Sequence, residues 1–156
     1  MNSKYAYRPL IQAEQSGSRA IGVNMPARGV VSMAQIQKKT IKNKNLTILK
    51  VTGKVASNEI IKAFKEFYES EPTLNLLWDL SQGDLSDLTS DQLRKIISAA
   101  KKYANLREGG KTALYTTVPL GFGIARMYEM LAEANQLPIP NRVFRSFDEA
   151  MAWLES

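Results

Sequence analysis

LNLLWDL, Leu74 to Leu80, is the segment of the sequence that most strongly indicates the fold. Its residues are mostly apolar and do not alternate with polar ones, which is typical of a short strand that is buried on both faces. Strands of this kind occur where helices cover a mainly parallel sheet. We therefore place LNLLWDL in the middle of such a sheet and interpret the polar stretch SQGDLSDL, residues 81–88, as the loop that follows it.

Strand and helix patterns alternate on both sides of this segment. The further strands are predicted at 35–42, 46–52, 112–118 and 142–145. Four helices are predicted to follow Ser57, Thr89, Gly121 and Ser146, because apolar residues recur there at helical spacing behind capping residues. The order is β-β-α-β-α-β-α-β-α. It predicts an α/β fold with a mixed, mainly parallel five-stranded sheet and right-handed crossovers.

The amino-acid composition excludes several classes of function. Histidine and cysteine are absent, which excludes disulfides and thiolate chemistry and removes the commonest general base and zinc ligand. We therefore expect a protein that is not an enzyme and that needs no cofactor or metal. No apolar run approaches the roughly 20 residues that span a bilayer, and no signal-peptide pattern opens the chain, so we expect a cytoplasmic location.

Residues 1–35 differ from the rest of the chain, because they have no sustained period and contain scattered Gly, Pro and Ser. We predict that they form a flexible N-terminal arm or an over-extended start, with a domain at 36–156. Met25 and Met33 are alternative first residues, and a basic arm that contacts a partner is the functional alternative.

The arm carries four basic residues and one acidic residue, which leaves 6 − 3 = +3 for the domain. We expect no nucleic-acid partner from so small a charge.

The segment VPLGFGIARMYEML, residues 118–131, contains two glycines at the predicted start of the third helix. Gly121, Phe122 and Gly123 form either an anion cradle or a tight turn from strand to helix. Arg126 stands where a dinucleotide motif has its third glycine, so that motif is broken. A cation in a first helical turn opposes the helix dipole. We therefore expect an anionic neighbour of Arg126, which is Asp79, another acidic residue or a bound anion. An ion pair with Glu129 is the simpler alternative.

Polar and charged side chains elsewhere in the chain form further candidate sets. Asp79 and Ser81 lie at the predicted carboxyl end of a central strand, where open α/β sheets bind ligands. We take them, with Gly121, Phe122, Gly123 and Arg126, as the candidate binding residues. The aspartates from Asp79 to Asp91 match no metal-binding loop, so no metal is expected. Basic residues on the second helix, with Arg107 just after it, are interpreted as a solvated face, and Met127 and Leu131 are expected to point inward.

Three segments together resemble the STAS-like group of domains, and within it the branch called SpoIIAA-like, which is grouped with the CRAL-TRIO lipid carriers. They are LLWDLSQGDLSDLT at 76–89, GFGIARMYEML at 121–131 and VFRSFDEAMAWL at 143–154. The resemblance implies helices mostly on one face of the sheet. It also implies one of two roles. One role is regulation of a protein partner, and the other is carriage or sensing of a small amphiphile or lipid.

Relatives that regulate a partner are phosphorylated on a serine at the start of the second helix. The matching segment here reads Asp87-Leu-Thr-Ser-Asp91, so Ser90 or Thr89 is the candidate phosphoacceptor. The family's glycine is missing and Asp91 would repel a phosphate, which favours Thr89 as a simple helix cap. The sequence thus predicts a regulatory or protein-binding domain, with the amphiphile carrier as the alternative and a homodimer left open.

Overall fold

The computed structural model describes residues 34–156, and the predicted N-terminal arm lies outside them except for its last two residues. The described residues form a five-stranded sheet with strand order β1-β2-β3-β4-β5, in which β1 is antiparallel to β2 and the other neighbours are parallel. The strands are β1 (Gln35–Ile41), β2 (Leu46–Lys54), β3 (Asn75–Asp84), β4 (Thr112–Tyr115) and β5 (Asn141–Phe144). The helices are α1 (Ser57–Glu69), α2 (Ser90–Tyr103), α3 (Pro119–Ala134) and α4 (Phe147–Glu155). The predicted fold class is confirmed.

The sheet order explains where the helices lie. Each crossover from β2 onward steps to the next strand in the same direction, so right-handed connections place α1, α2 and α3 on one face. Trp78 of β3 packs edge-on against Phe64 of α1 on that face, with ring centroids 5.4 Å apart. The opposite face is covered by α4, whose Leu154 carbonyl accepts a hydrogen bond from the Asn75 side chain of β3. The middle strand is therefore buried on both sides, as LNLLWDL predicted.

β3 is longer than predicted. It continues through Asp84, and its pairing with β2 shifts between Lys50 and Thr52, where β3 contains one extra residue. Such a bulge twists a strand and re-aims its side chains. Half of the predicted polar loop, residues 81–84, therefore belongs to the strand, and the connection to α2 is short.

Arg107 is not the solvated residue that the sequence predicted. It lies in the short 3₁₀ helix after α2 and is only 2% exposed. Its guanidinium donates to the carbonyls of Leu74 and Lys111 and to the hydroxyls of Tyr68 and Thr112, at 2.7–3.1 Å. Burial lowers the pKa of Arg107, but a guanidinium stays protonated in proteins. One side chain thus joins the end of the α2 segment to α1, β4 and the residue before β3.

The close approach at this junction also requires a glycine. A Cβ on Gly110 would lie 2.1 Å from the Leu74 carbonyl oxygen, a distance that no side chain can accept. Gly110 therefore sets how closely the chain before β4 packs against the start of β3.

We expect Arg107→Lys to lower the free energy of unfolding by about 2–4 kcal/mol, because an ammonium cannot reproduce four hydrogen bonds in a fork geometry and remains buried. Urea unfolding followed by circular dichroism measures the change. Arg94→Lys is the matched control, since the Arg94 side chain is 56% exposed, and it should change stability by less than about 0.5 kcal/mol. Equal small losses for both variants would contradict the role assigned to Arg107.

Candidate functional site

The two glycines of GFG lie inside α3 and do not form a loop. The helix begins at Pro119, so Gly121 and Gly123 are its third and fifth residues. A Cβ on Gly121 would come within 3.0 Å of the Thr116 hydroxyl oxygen, so this glycine lets the helix start pack against the end of β4. A Cβ on Gly123 would meet open space. The two glycines therefore belong to the first turns of the helix and not to a loop before it, and Gly121 serves the close approach of helix and strand.

Arg126 is also not where the sequence placed it. It is the eighth residue of α3, beyond the first turn where a cation opposes the helix dipole. Its guanidinium lies 3.2 Å from the Glu129 carboxylate, on the exposed side of the helix. The simpler alternative is thus the observed one, and the anionic neighbour of Arg126 is Glu129.

Glu129 has a second partner that the sequence did not indicate. The same carboxylate oxygen accepts a hydrogen bond from the backbone N–H of Val143 at 3.3 Å. Val143 lies in β5, the edge strand of the sheet, and an edge strand presents unpaired N–H groups that invite another strand. Arg126 and Glu129 therefore cover one donor of this edge. Phe122, on the same side of α3, lies under the guanidinium of Arg145, 3.9 Å from the ring centroid.

Asp79 and Ser81 lie away from the α3 residues. Asp79 is buried in mid-strand, and its carboxylate accepts from the backbone N–H and the hydroxyl of Ser81 at 3.0 and 2.6 Å. Its strand partner in β4 is Tyr115, whose ring packs edge-on against Phe147 of α4. Burial, followed by the charges of Asp79 and Asp148, raises the pKa of Tyr115. The candidate binding residues are thus divided between the two faces of the sheet and do not form one site.

Thr89 and Ser90 lie at the start of α2. The Thr89 hydroxyl accepts from the backbone N–H of Gln92 at 3.2 Å, so it caps the helix as the sequence favoured. The Gln92 side chain contacts the hydroxyl of Ser57 in α1. Ser90 is the first residue of α2 and is half-buried. Of the two candidate phosphoacceptors, Ser90 is therefore the one whose hydroxyl does not serve as the cap.

The feature that the sequence analysis missed is a row of exposed apolar side chains on α3. We define the α3 row as Leu120, Met127 and Met130, which are 57%, 37% and 59% exposed. Val118, just before the helix, is 44% exposed. Met127 was expected to point inward, and this expectation is wrong. The signal was present in the sequence, because α3 has more apolar positions than one buried face can accommodate.

A small apolar cavity lies between the helices and the sheet, next to the α3 row. Its walls come from α1, β3, α2, β4 and α3, and include Phe64, Trp78, Leu93, Leu114 and Ile124. Its volume is about 50 Å³, whereas pockets for drug-sized ligands enclose about 300–1,000 Å³. The cavity can therefore admit one aliphatic side chain but not a lipid acyl chain.

Tyr128 of α3 lines this cavity with a buried hydroxyl that has no hydrogen-bond partner among residues 34–156. Burial raises the pKa of Tyr128, so the hydroxyl remains protonated. An unpartnered buried hydroxyl is energetically unfavourable, typically by about 1–3 kcal/mol.

Two other kinds of site find no support in the described part of the chain. No group of three or more acidic, His or Cys residues there is arranged to hold a metal ion. Among the helices of residues 34–156, none has the length and apolar character needed to cross a membrane.

Comparison with solved structures identifies the fold. The chain is similar to an anti-sigma factor antagonist from Mycobacterium paratuberculosis, with a TM-score of 0.53 and 15% identity over 79% of this chain and 95% of the other. It is also similar to an uncharacterised protein with a SpoIIAA-like fold from Shewanella loihica, with a TM-score of 0.52 and 14% identity over 83% and 99%. No protein-family profile and no curated protein sequence matches the chain. These likenesses show that the chain has a SpoIIAA-like fold.

We expect Tyr128→Phe to raise the free energy of unfolding by about 1 kcal/mol, because the substitution removes a buried hydroxyl without a partner and keeps the ring. Tyr68→Phe is the matched control. The Tyr68 hydroxyl accepts from Arg107 at 3.1 Å, so its removal should lower stability by about 1–2 kcal/mol. Urea unfolding of both variants measures the difference. A loss of stability in Tyr128→Phe would show that a bound molecule or water satisfies the hydroxyl.

Proposed function

We propose that this domain is a non-enzymatic regulatory module that binds a protein partner through the α3 row. The observation that carries the proposal is the clustering of exposed apolar residues. Six large hydrophobic side chains are exposed among residues 34–156, and four of them lie between Val118 and Met130. Single exposed apolar residues are common, but a contiguous group on one helix is typical of an interaction site. The fold neighbour described as an anti-sigma factor antagonist supports the same class of function.

The alternative, a carrier of a small amphiphile or lipid, is less well supported. The unpartnered Tyr128 hydroxyl would suit the polar group of such a ligand. The cavity beside it, however, has only about 50 Å³, so it would hold such a ligand only if α3 moved away from the sheet. Native mass spectrometry of freshly purified protein separates the two functions, because a carrier should retain a small-molecule mass.

Phosphorylation of Ser90 remains a prediction within this proposal. A phosphate on the first residue of α2 would lie beside the free N–H groups of the helix start, which favours it. Asp91 is the next residue and would repel the phosphate, but its carboxylate lies 3.4 Å from the Arg94 guanidinium. Phosphopeptide mapping of the protein from its own cells addresses this site directly.

The α3 row is tested by charge substitution. We expect Met127→Glu to reduce recovery of a partner from the source organism's lysate by at least tenfold, because a carboxylate in an apolar interface must be desolvated. Leu106→Glu is the matched control, since Leu106 is 62% exposed and lies outside the α3 row. It should recover the partner as well as the unchanged protein does.

Quantitative mass spectrometry of affinity-purified samples gives the ratio. Equal recovery by Met127→Glu and the unchanged protein, or recovery of no protein at all, would contradict the proposal. Light scattering of the purified chain completes the test. If the captured protein is a second copy of this chain, Met127→Glu should convert a dimer into a monomer.

A further inference from the structure

The residues on the two sides of the groove between α2 and α3 indicate the chemistry of the partner. α2 lies between α1 and α3, since it packs against both. Its α1 side is identified by Gln92, which contacts Ser57, and by Tyr103, which stacks on Tyr68 with ring centroids 5.0 Å apart. Helical spacing places Arg94 and Lys101 on the opposite side of α2, which faces α3.

The same reasoning orients α3. Phe122 and Glu129 contact Arg145 and Val143, so they mark the side of α3 that faces β5. Leu120 and Met127 lie on the other side, which faces α2. The groove therefore has one apolar wall, from α3, and one basic wall, from α2.

The floor of the groove lies over the apolar cavity. Among its described lining residues, Ile124 alone is half-buried rather than buried, so the cavity comes nearest the surface at this side chain. Ile124 is four residues after Leu120 and three before Met127, and it lies between them on the helix surface. A bulky apolar side chain of a partner that displaces Ile124 would enter a desolvated pocket, which is where the strongest contacts of interfaces are found.

The charge of α2 is one-sided. Its exposed surface carries Arg94, Lys95, Lys101 and Lys102 against the single carboxylate of Asp91. Asp91 lies 3.4 Å from Arg94, and the Arg94 and Asp91 side chains are 56% and 88% exposed. A basic wall of this kind favours a partner with carboxylates along the matching flank and disfavours one with lysines there.

We propose that the partner segment is an amphipathic helix that lays its apolar face on the α3 row, inserts one bulky apolar side chain beside Ile124 and directs acidic residues toward Arg94 and Lys101. The inference rests on the proposed function and adds the chemistry of the partner. A groove with two walls and a pocket fits a helix in the way that many peptide-binding domains do. A flat anionic membrane would meet the basic wall but would leave the pocket unused.

A displayed library of 18-residue helical peptides tests the proposal. The peptides share Leu at the i, i+3 and i+7 positions, while one central apolar position is Ala, Leu or Phe and the flanking positions are Glu, Gln or Lys. We expect the unchanged protein to enrich Glu over Lys on one flank and Leu or Phe over Ala at the centre, each at least tenfold. No enrichment, or no preference for Glu, would overturn the proposal.

Two variants with equal changes in net charge separate local recognition from general attraction. Arg94→Glu with Lys101→Glu should abolish the preference for Glu. Lys62→Glu with Lys65→Glu, on the exposed surface of α1, should leave it within twofold. Loss of the preference in both double variants would mean that overall charge alone selects the peptides, and it would overturn the proposal.

Vesicles of phosphatidylcholine and phosphatidylglycerol at 3:1 provide the membrane arm. Co-sedimentation that Arg94→Glu with Lys101→Glu abolishes, without enrichment of any peptide, would assign the groove to a membrane and overturn the proposal. Failure of this proposal can be distinguished from failure of the proposed function. If Met127→Glu loses the lysate partner but the library shows no preference for Glu, only the chemistry assigned to the partner is wrong.

Discussion

The burial of β3 on both faces is the constraint on which the rest of the structure depends. Leu76 and Leu77 point to opposite faces of the sheet and are both fully buried, so helices must cover both sides. Three crossovers of one hand, stepping in one direction, place α1, α2 and α3 on the same face and leave α4 for the other. The last of these three helices, α3, packs on the sheet mainly through the small residues Gly121, Ala125 and Ala132, with Tyr128. Leu120, Met127 and Met130 lie outside this narrow contact and form the α3 row.

Much of this architecture could be predicted from the sequence, because it depends on periodicity and on turn chemistry. The unalternating LNLLWDL indicated a doubly covered strand, and helical spacing behind Thr89 and Ser146 located two helix starts that the structure confirms. The beginning of α3 could not be located in this way. Pro119 as the first residue of a helix and a glycine pair as a turn are both common patterns, and the choice between them moved Arg126 from the first turn to the third. The interpretation of Arg126 as a cation in need of an anion depended on that choice.

Burial of individual charged residues was equally out of reach. Arg107 follows a row of exposed lysines and arginine on α2, so its sequence context indicated solvent. Its burial depends on the tertiary approach of Leu74, which Gly110 permits, and no local pattern encodes this contact. Met127 presents the reverse case, because an apolar residue in an amphipathic helix is usually inward. The candidate site thus moved from polar residues around GFG to an apolar surface that the sequence assigned to the core.

We propose that a protein partner covers the outer face of α3. Oxidative footprinting by mass spectrometry tests it most directly, because Met127 and Met130 belong to the α3 row while Met151 is buried against the other face and serves as an internal reference. The chain is oxidised once in whole lysate of the source organism and once in the same lysate after proteins are removed by filtration. Met127 and Met130 should oxidise at least fivefold more slowly in whole lysate, relative to Met151, because the partner shields them. Equal relative rates in the two samples would contradict it.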